Sequence, residues 1–161
     1  MTKLSDIFRP FDYPEIADSV LFDFFDTCHK FNISVFLALG TALGFYRNGS
    51  YLQNDLDIDT FISCPLDTRS ILFNQLSLNG YNLNTISGAS ASMNIHTVKD
   101  NILLDIWFKH RKDFMAFYHG ENYISYKNRK LRIPFNIEGY LSTIYGDWKT
   151  PSNIRANCHG A

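Results

Sequence analysis

FLALGTALGFYRNGSYLQNDLDIDTFI, residues Phe36 to Ile62, decides how the rest of the chain is read. Val35 to Leu39 is an apolar run that stops at Gly40, as a buried strand would. Gly40-Thr41 then opens Ala42-Leu43-Gly44-Phe45-Tyr46-Arg47, which reads as a short helix. A glycine followed by a threonine able to cap leaves backbone N–H groups facing outward, an arrangement suited to phosphate. Asn48-Gly49 marks a turn. A second strand follows, carrying Asp55, Asp57 and Asp59 at alternate positions.

Side chains at i, i+2 and i+4 of a strand share one face. Asp55, Asp57 and Asp59 are therefore expected on one side, with Leu56 and Ile58 packing inward on the other. Neighbouring carboxylates about 7 Å apart at Cα repel one another, and a divalent cation relieves that repulsion. Oxygen ligands with no Cys or His among them favour Mg2+ or Mn2+ over zinc. An isolated D-x-D-x-D is as readily a solvated acidic turn; the preceding strand, Gly-Thr turn and helix favour the metal site.

A further carboxylate comes from Ile102 to Phe108, where Asp105 is the only acid in a seven-residue apolar run. A charge there is costly unless it is paired or metal-bound. Ser92–Val98 and Ile102–Phe108 read as a hairpin around Lys99-Asp100-Asn101. A two-residue loop at Asp100-Asn101 places His96 across from Asp105; a loop at Lys99-Asp100 places Asn94 there instead. Either register gives Asp105 a polar neighbour. Asp55 and His96 are thus supporting candidates beside the ligands Asp57, Asp59 and Asp105.

Gly40-Thr41-Ala42-Leu43-Gly44, Arg47, Asp55-Leu56-Asp57-Ile58-Asp59 and Leu104-Asp105-Ile106-Trp107-Phe108 together resemble the signature of the LicD/fukutin family. Pro134, Tyr140-Leu141, Tyr145-Gly146-Asp147-Trp148 and Pro151 resemble its closing motif, so the likeness spans about residues 30–151. The resemblance implies a nucleotidyltransferase-like fold and a metal-dependent phosphotransferase. Such an enzyme moves a phospho-alcohol, phosphocholine or a polyol phosphate, from a CDP-linked donor to a sugar or glycolipid hydroxyl. Asp57 and Asp59 would hold one or two Mg2+ (or Mn2+) ions, Asp105 would complete the site and accept the hydroxyl proton, and Gly40, Thr41 and Arg47 would bind phosphate oxygens. Two other readings stand beside it: a nucleotidyltransferase placing an NMP on a small molecule or protein, and a non-catalytic domain that binds a nucleotide or partner.

The 161 residues are 45% hydrophobic and 16% aromatic, with 14 Phe and 9 Tyr. This composition suits one globular domain with its own core. The expected class is α/β (α+β), a mixed sheet with flanking helices. A net charge of −1 supplies no global field for nucleic acid. The short basic runs Lys109–Lys112 and Lys127–Arg132 read as solvated turns. Cys28, Cys64 and Cys158 make no metal or disulfide pattern and point to a reducing compartment. No apolar run reaches a membrane span, and the N-terminus lacks a signal-peptide core, so a cytoplasmic protein is the simplest expectation.

The remaining elements follow from periodicity and punctuation. Asp12-Tyr13-Pro14-Glu15 reads as a capping box opening a helix whose stripe is Ile16, Val20, Phe24 and Cys28, widened by Ala17, Leu21 and Phe31. Asp18, Asp23 and Asp26 fall on its wet side, and Asn32 ends it. Pro65 to Gly80 holds a second helix, and Tyr81–Ile86 reads as a short strand before a loop at Ser87–Ser90. Phe114–Tyr118 and Asn122–Tyr126 read as edge strands or an aromatic cover. Asn136 caps a helix over Ile137–Tyr145 that stops at Gly146.

Overall fold

The structure is a computed structural model that describes residues 2–83 and 93–151. Its architecture is mixed α/β, as expected. In chain order it comprises a 3-10 turn (Leu4–Asp6), α1 (Pro14–Lys30), β1 (Ser34–Leu37), α2 (Leu39–Asn48), β2 (Asp57–Ser63), α3 (Leu66–Leu78), β3 (Asn94–Lys99), β4 (Ile102–Trp107), α4 (Lys112–Met115), β5 (Tyr123–Tyr126), β6 (Arg129–Arg132) and α5 (Ile137–Tyr145). The main sheet runs β1-β2-β4-β3, and β5-β6 form a separate hairpin. β2 and β4 are parallel, and both outer pairings are antiparallel.

β2 and β4 lie at the centre of the sheet, and almost every residue along them is buried. One face of the sheet carries Ile58, Thr60 and Ile62 with Ile102, Leu104 and Ile106, all at most 1% exposed. α1 packs against β1, β4 and α3. The stripe of α1 is Ala17, Val20, Leu21, Phe24, Phe25 and Cys28. It is rotated from the expected one, so that Ile16 is exposed and Asp18 buried. The helix also starts at Pro14 with Tyr13 as its cap, and no side chain caps it. Asn32 ends it as expected, with a positive φ of 55°.

Asp18 is not solvated. Its carboxylate accepts hydrogen bonds from Tyr51 (2.7 Å) and Tyr126 (3.0 Å) and from Lys127. It thereby ties α1 to the loop before β2 and to the β5–β6 turn. Helical periodicity reads only a helix's own stripe, and these partners come from segments 33 to 109 residues away.

α3, α5 and the hairpin agree with the punctuation signals. Asn136 accepts from the Gly139 N–H at the start of α5, and Gly146 follows its end at φ 68°. The hairpin turn is Asp100-Asn101, both at positive φ, as a tight two-residue turn requires. Phe114–Tyr118 differs from the strand reading. It continues from the single turn α4 and folds over the sheet, with Tyr118 stacked on Phe61 at 3.8 Å. Of the Tyr81–Ile86 strand, the described part is one bridge between Asn82 and Val98; Asn84 to Ser92, including the Ser87–Ser90 loop, lies outside the described residues.

Candidate metal centre

Two parallel strands place the three expected ligands together. Asp57 and Asp59 lie on the same face of β2, and Asp59 pairs in register with Asp105 of β4. One oxygen from each of the three carboxylates lies within 4.8 Å of the others. Asp59 and Asp105 are buried, at 8% and 4% exposed, and Asp57 is half-buried. Among the described residues, no Lys or Arg forms an ion pair with any of the three.

The electrostatics follow from that placement. Burial, then the Asp105 and Asp55 charges, push Asp57 up to about 7, with His96 working the other way. Burial also raises Asp59 well above the carboxylate range, reinforced by Asp57, Asp105 and Asp55. A hydrogen bond from the Trp107 side chain opposes that rise. The donor set is therefore all-carboxylate, tightly clustered and short of positive charge. That chemistry fits a hard divalent cation.

Asp105 is held from β3. The tight turn sets His96 across from it, the first of the two expected registers. His96 Nε2 lies 3.3 Å from Asp105 Oδ2, and Asn94 Nδ2 donates to Oδ1 at 2.8 Å. Both polar neighbours that the alternative registers offered are thus in contact at once, one on each oxygen. Asn94 lies two residues before His96, hence on the same face of β3. His96 is half-buried, and its basicity is raised chiefly by the Asp105 hydrogen bond against the cost of burial.

Asp55 lies outside β2, in the loop before it. The alternation expected from residue 55 begins only at Asp57. Leu56 accordingly packs with Ile7, Val98 and Leu103, not with Ile58. The Asp55 carboxylate lies against Gly40, where a β-carbon would collide with it, and burial raises it to about 6. It contributes negative potential to Asp57 and Asp59 without joining the close cluster.

α2 begins at Leu39, earlier than the Gly-Thr turn suggests, with Ala38 as its cap. Thr41 caps nothing. Its hydroxyl accepts the Asp59 N–H at 2.8 Å, while the Ala38 N–H donates to the Asp59 carbonyl at 3.0 Å. Arg47 lies eight residues beyond Leu39 along α2, about 12 Å by helical rise. Its Nη1 donates to the Trp148 carbonyl at 2.9 Å and its Nε to Asn48. The structure thus brings Gly40, Thr41 and Asp55 to the carboxylates and anchors Arg47 at the far end of the helix.

Three nearby buried side chains were not singled out from sequence. Trp107 shares a face with Asp105 by simple alternation, a signal that was present. Tyr118 and His110 carried none, because their segment reads as aromatic cover and as part of a basic run. His110 is 5% exposed and surrounded by Phe61, Trp107, Phe114 and Tyr118. No helix among the described residues is long and apolar enough to cross a membrane. No family model and no curated protein matches the chain.

Proposed function

We propose that the chain is a metal-dependent phosphotransferase of the LicD/fukutin type, built on a nucleotidyltransferase-like fold. It moves a phospho-alcohol from a CDP-linked donor to a glycan or glycolipid hydroxyl. The observation that carries this reading is the convergence of Asp57, Asp59 and Asp105 within 4.8 Å with no Lys or Arg paired to them among the described residues. The order strand, Gly-Thr helix, Asp-x-Asp strand, with a third acid on a parallel neighbour, supports the family resemblance.

Asp57, Asp59 and Asp105 would hold Mg2+ or Mn2+, and the ion would supply positive charge for the donor diphosphate and the leaving CMP. The protein's own groups supply the rest. The Asn94 and His96 contacts fix the plane of the Asp105 carboxylate. It stands ready to accept the proton of the attacking hydroxyl, with His96 Nε2 beside Oδ2. The first turn of α2, which begins at Leu39, carries Gly40 and Thr41, and its backbone N–H groups and positive dipole end suit a phosphate. Phosphoryl transfer asks mainly for positioning and charge neutralisation.

A thermal-shift titration tests this reading with CDP-choline, CDP-glycerol, CDP-ribitol, CTP, ATP and UTP, each with and without Mg2+ or Mn2+. A ligand that binds only the folded state raises its stability. The expected result is a shift that needs both metal and a CDP-alcohol and is lost in Asp57→Ala. A shift with nucleoside triphosphates alone, with pyrophosphate in place of CMP as product, overturns it in favour of nucleotidyl transfer. Silence across the panel, with no metal binding at millimolar concentration, overturns it in favour of a non-catalytic domain.

A further inference from the structure

Leu39 is the unusual residue in this neighbourhood. Its φ is 43°. The other non-glycine residues with positive φ among those described are Asn32, Asp100, Asn101, Lys127, Asn128 and Asn136, which lie in turns and helix caps. Leu39 is the only apolar one. It is 4% exposed and starts α2. A left-handed leucine is disfavoured by its own β-carbon, so something must hold it there.

The structure shows what holds it. The Leu39 N–H donates to the Tyr140 hydroxyl at 2.9 Å. Tyr140 and Tyr118 hydroxyls lie 2.6 Å apart, and Tyr118 Oη lies 3.0 Å from His110 Nδ1. One polarity satisfies every link. Leu39 N–H donates to Tyr140, Tyr140 O–H to Tyr118, and Tyr118 O–H to the imidazole nitrogen. The chain is buried throughout, with Tyr140 at 0% exposure, where each hydrogen bond is strengthened by low dielectric.

The consequence falls on Asp59. Its carbonyl accepts from the Ala38 N–H and its N–H donates to the Thr41 hydroxyl. Leu39 lies between those two contacts, so its backbone angle sets whether both reach Asp59 together. Tyr118 also stacks on Phe61, two residues along the same face of β2. We infer that Tyr140 is a positioning residue for Asp59, acting through the left-handed Leu39 and anchored by Tyr118 and His110. A phenylalanine would fill the same space, so packing alone does not require the hydroxyl. The inference rests on the metal-site reading for its functional meaning, and on Leu39 for its geometry.

The test uses Mn2+ as the probe, with free Mn2+ followed by electron paramagnetic resonance, on the wild-type chain, Tyr140→Phe and Asp57→Asn. Amide hydrogen exchange at Asp59 is measured in parallel without metal. Tyr140→Phe is expected to weaken Mn2+ binding about tenfold, the range seen when a ligand's support is removed. The Asp59 amide is expected to exchange at least tenfold faster, roughly in step with a lost local contact, with the β3–β4 amides unchanged. Mn2+ affinity within twofold of wild type and unchanged Asp59 exchange would overturn the inference. A wild-type chain that binds no Mn2+ sinks the metal reading instead, and the exchange measurement still decides whether Tyr140 fixes the Asp59 backbone. If Tyr140→Phe does not fold, Tyr118→Phe breaks the next link and carries the same two measurements.

Discussion

Replacing Asp57 with asparagine should stabilise the metal-free protein. The nearest oxygens of the three carboxylates lie within 4.8 Å. Two unit charges at that distance repel by ~3 kcal/mol at an effective dielectric of about 20. Burial, ahead of the neighbouring charges, also raises the cost of ionising Asp57. Moving from its ordinary 3.8 to about 7 costs the ionised folded state ~4 kcal/mol at pH 8. Asparagine recovers only part of this, since its amide also leaves water, so a net gain of ~2 kcal/mol is expected. For a chain of this size that is roughly 4–8 °C in Tm. The pH dependence fixes the cause. The folded state retains a proton on Asp57 that the unfolded chain has already released, so wild-type stability is full below about pH 4 and falls as pH rises toward 7. The advantage of Asp57→Asn therefore shrinks at pH 5 and reaches its plateau above pH 7. The assay is thermal denaturation by circular dichroism in EDTA at pH 5, 6, 7 and 8. A variant that is no more stable than wild type at pH 8, or an advantage of equal size at pH 5, refutes the reasoning.

Three further outcomes are expected. Asn94→Ala removes the donor to Asp105 Oδ1 and should weaken Mn2+ binding about tenfold by calorimetry; unchanged affinity would show that Asp105 needs no support from β3. Asp18→Ala takes away the acceptor of the buried Tyr51 hydroxyl and should cost ~2–3 kcal/mol of stability, read as a Tm lower by about 5–10 °C; a loss under 2 °C would restore Asp18 to the solvated face. Gly44→Ala would put a β-carbon 2.6 Å from the Ser50 carbonyl, part of the backbone, whereas Gly40→Ala meets only the Asp55 carboxylate. Urea denaturation should therefore show the larger loss at Gly44, ~2–3 kcal/mol, and equal losses would mean that Asp55 is held as rigidly as the main chain.

The parts of the site that were legible in sequence share one property: their signal is local. Asp57, Asp59 and Asp105 each sit in a strand whose alternation is visible within a few residues. The hairpin itself is legible, but its sequence admits a turn at either Asp100-Asn101 or Lys99-Asp100; the structure takes the first, which sets the His96–Asp105 contact. Gly80, Asn136 and Gly146 likewise marked helix ends from their own backbone chemistry. Where the reading failed, the deciding contact was distant in sequence. Asp18 looked wet because its helix pattern was complete without it, and its partners Tyr51 and Lys127 belong to other elements. Thr41 looked like a cap because Gly-Thr commonly is one, but its acceptor role depends on β2 lying alongside. Asp55 looked like a strand residue because D-x-D-x-D is periodic, and no local signal says that pairing starts at Asp57. His110 looked solvated among cations, and only the closure of the 110–118 segment over Phe61 buries it.

The cost of the carboxylate cluster bears on what it is for. A parallel pair of central strands is the most thoroughly buried position in this sheet, and its opposite face carries Ile58, Thr60, Ile62, Ile102, Leu104 and Ile106, all buried. Asparagine at Asp57 or Asp59 would keep the volume without the charge. Burying like charges side by side opposes folding, and neither a lysine nor an arginine among the described residues pairs with them. Part of the surrounding structure nevertheless serves to hold them still. Asn94 and His96 grip one carboxylate, Ala38 and Thr41 grip the backbone of another, and a left-handed leucine is maintained to do so. A purely structural acid would instead be neutralised where it stands, as Asp18 is by Lys127 and two tyrosines. The contrast between those two buried aspartate sites favours a positively charged ligand for the cluster, and it is the reason metal binding is the property on which the proposed function stands or falls.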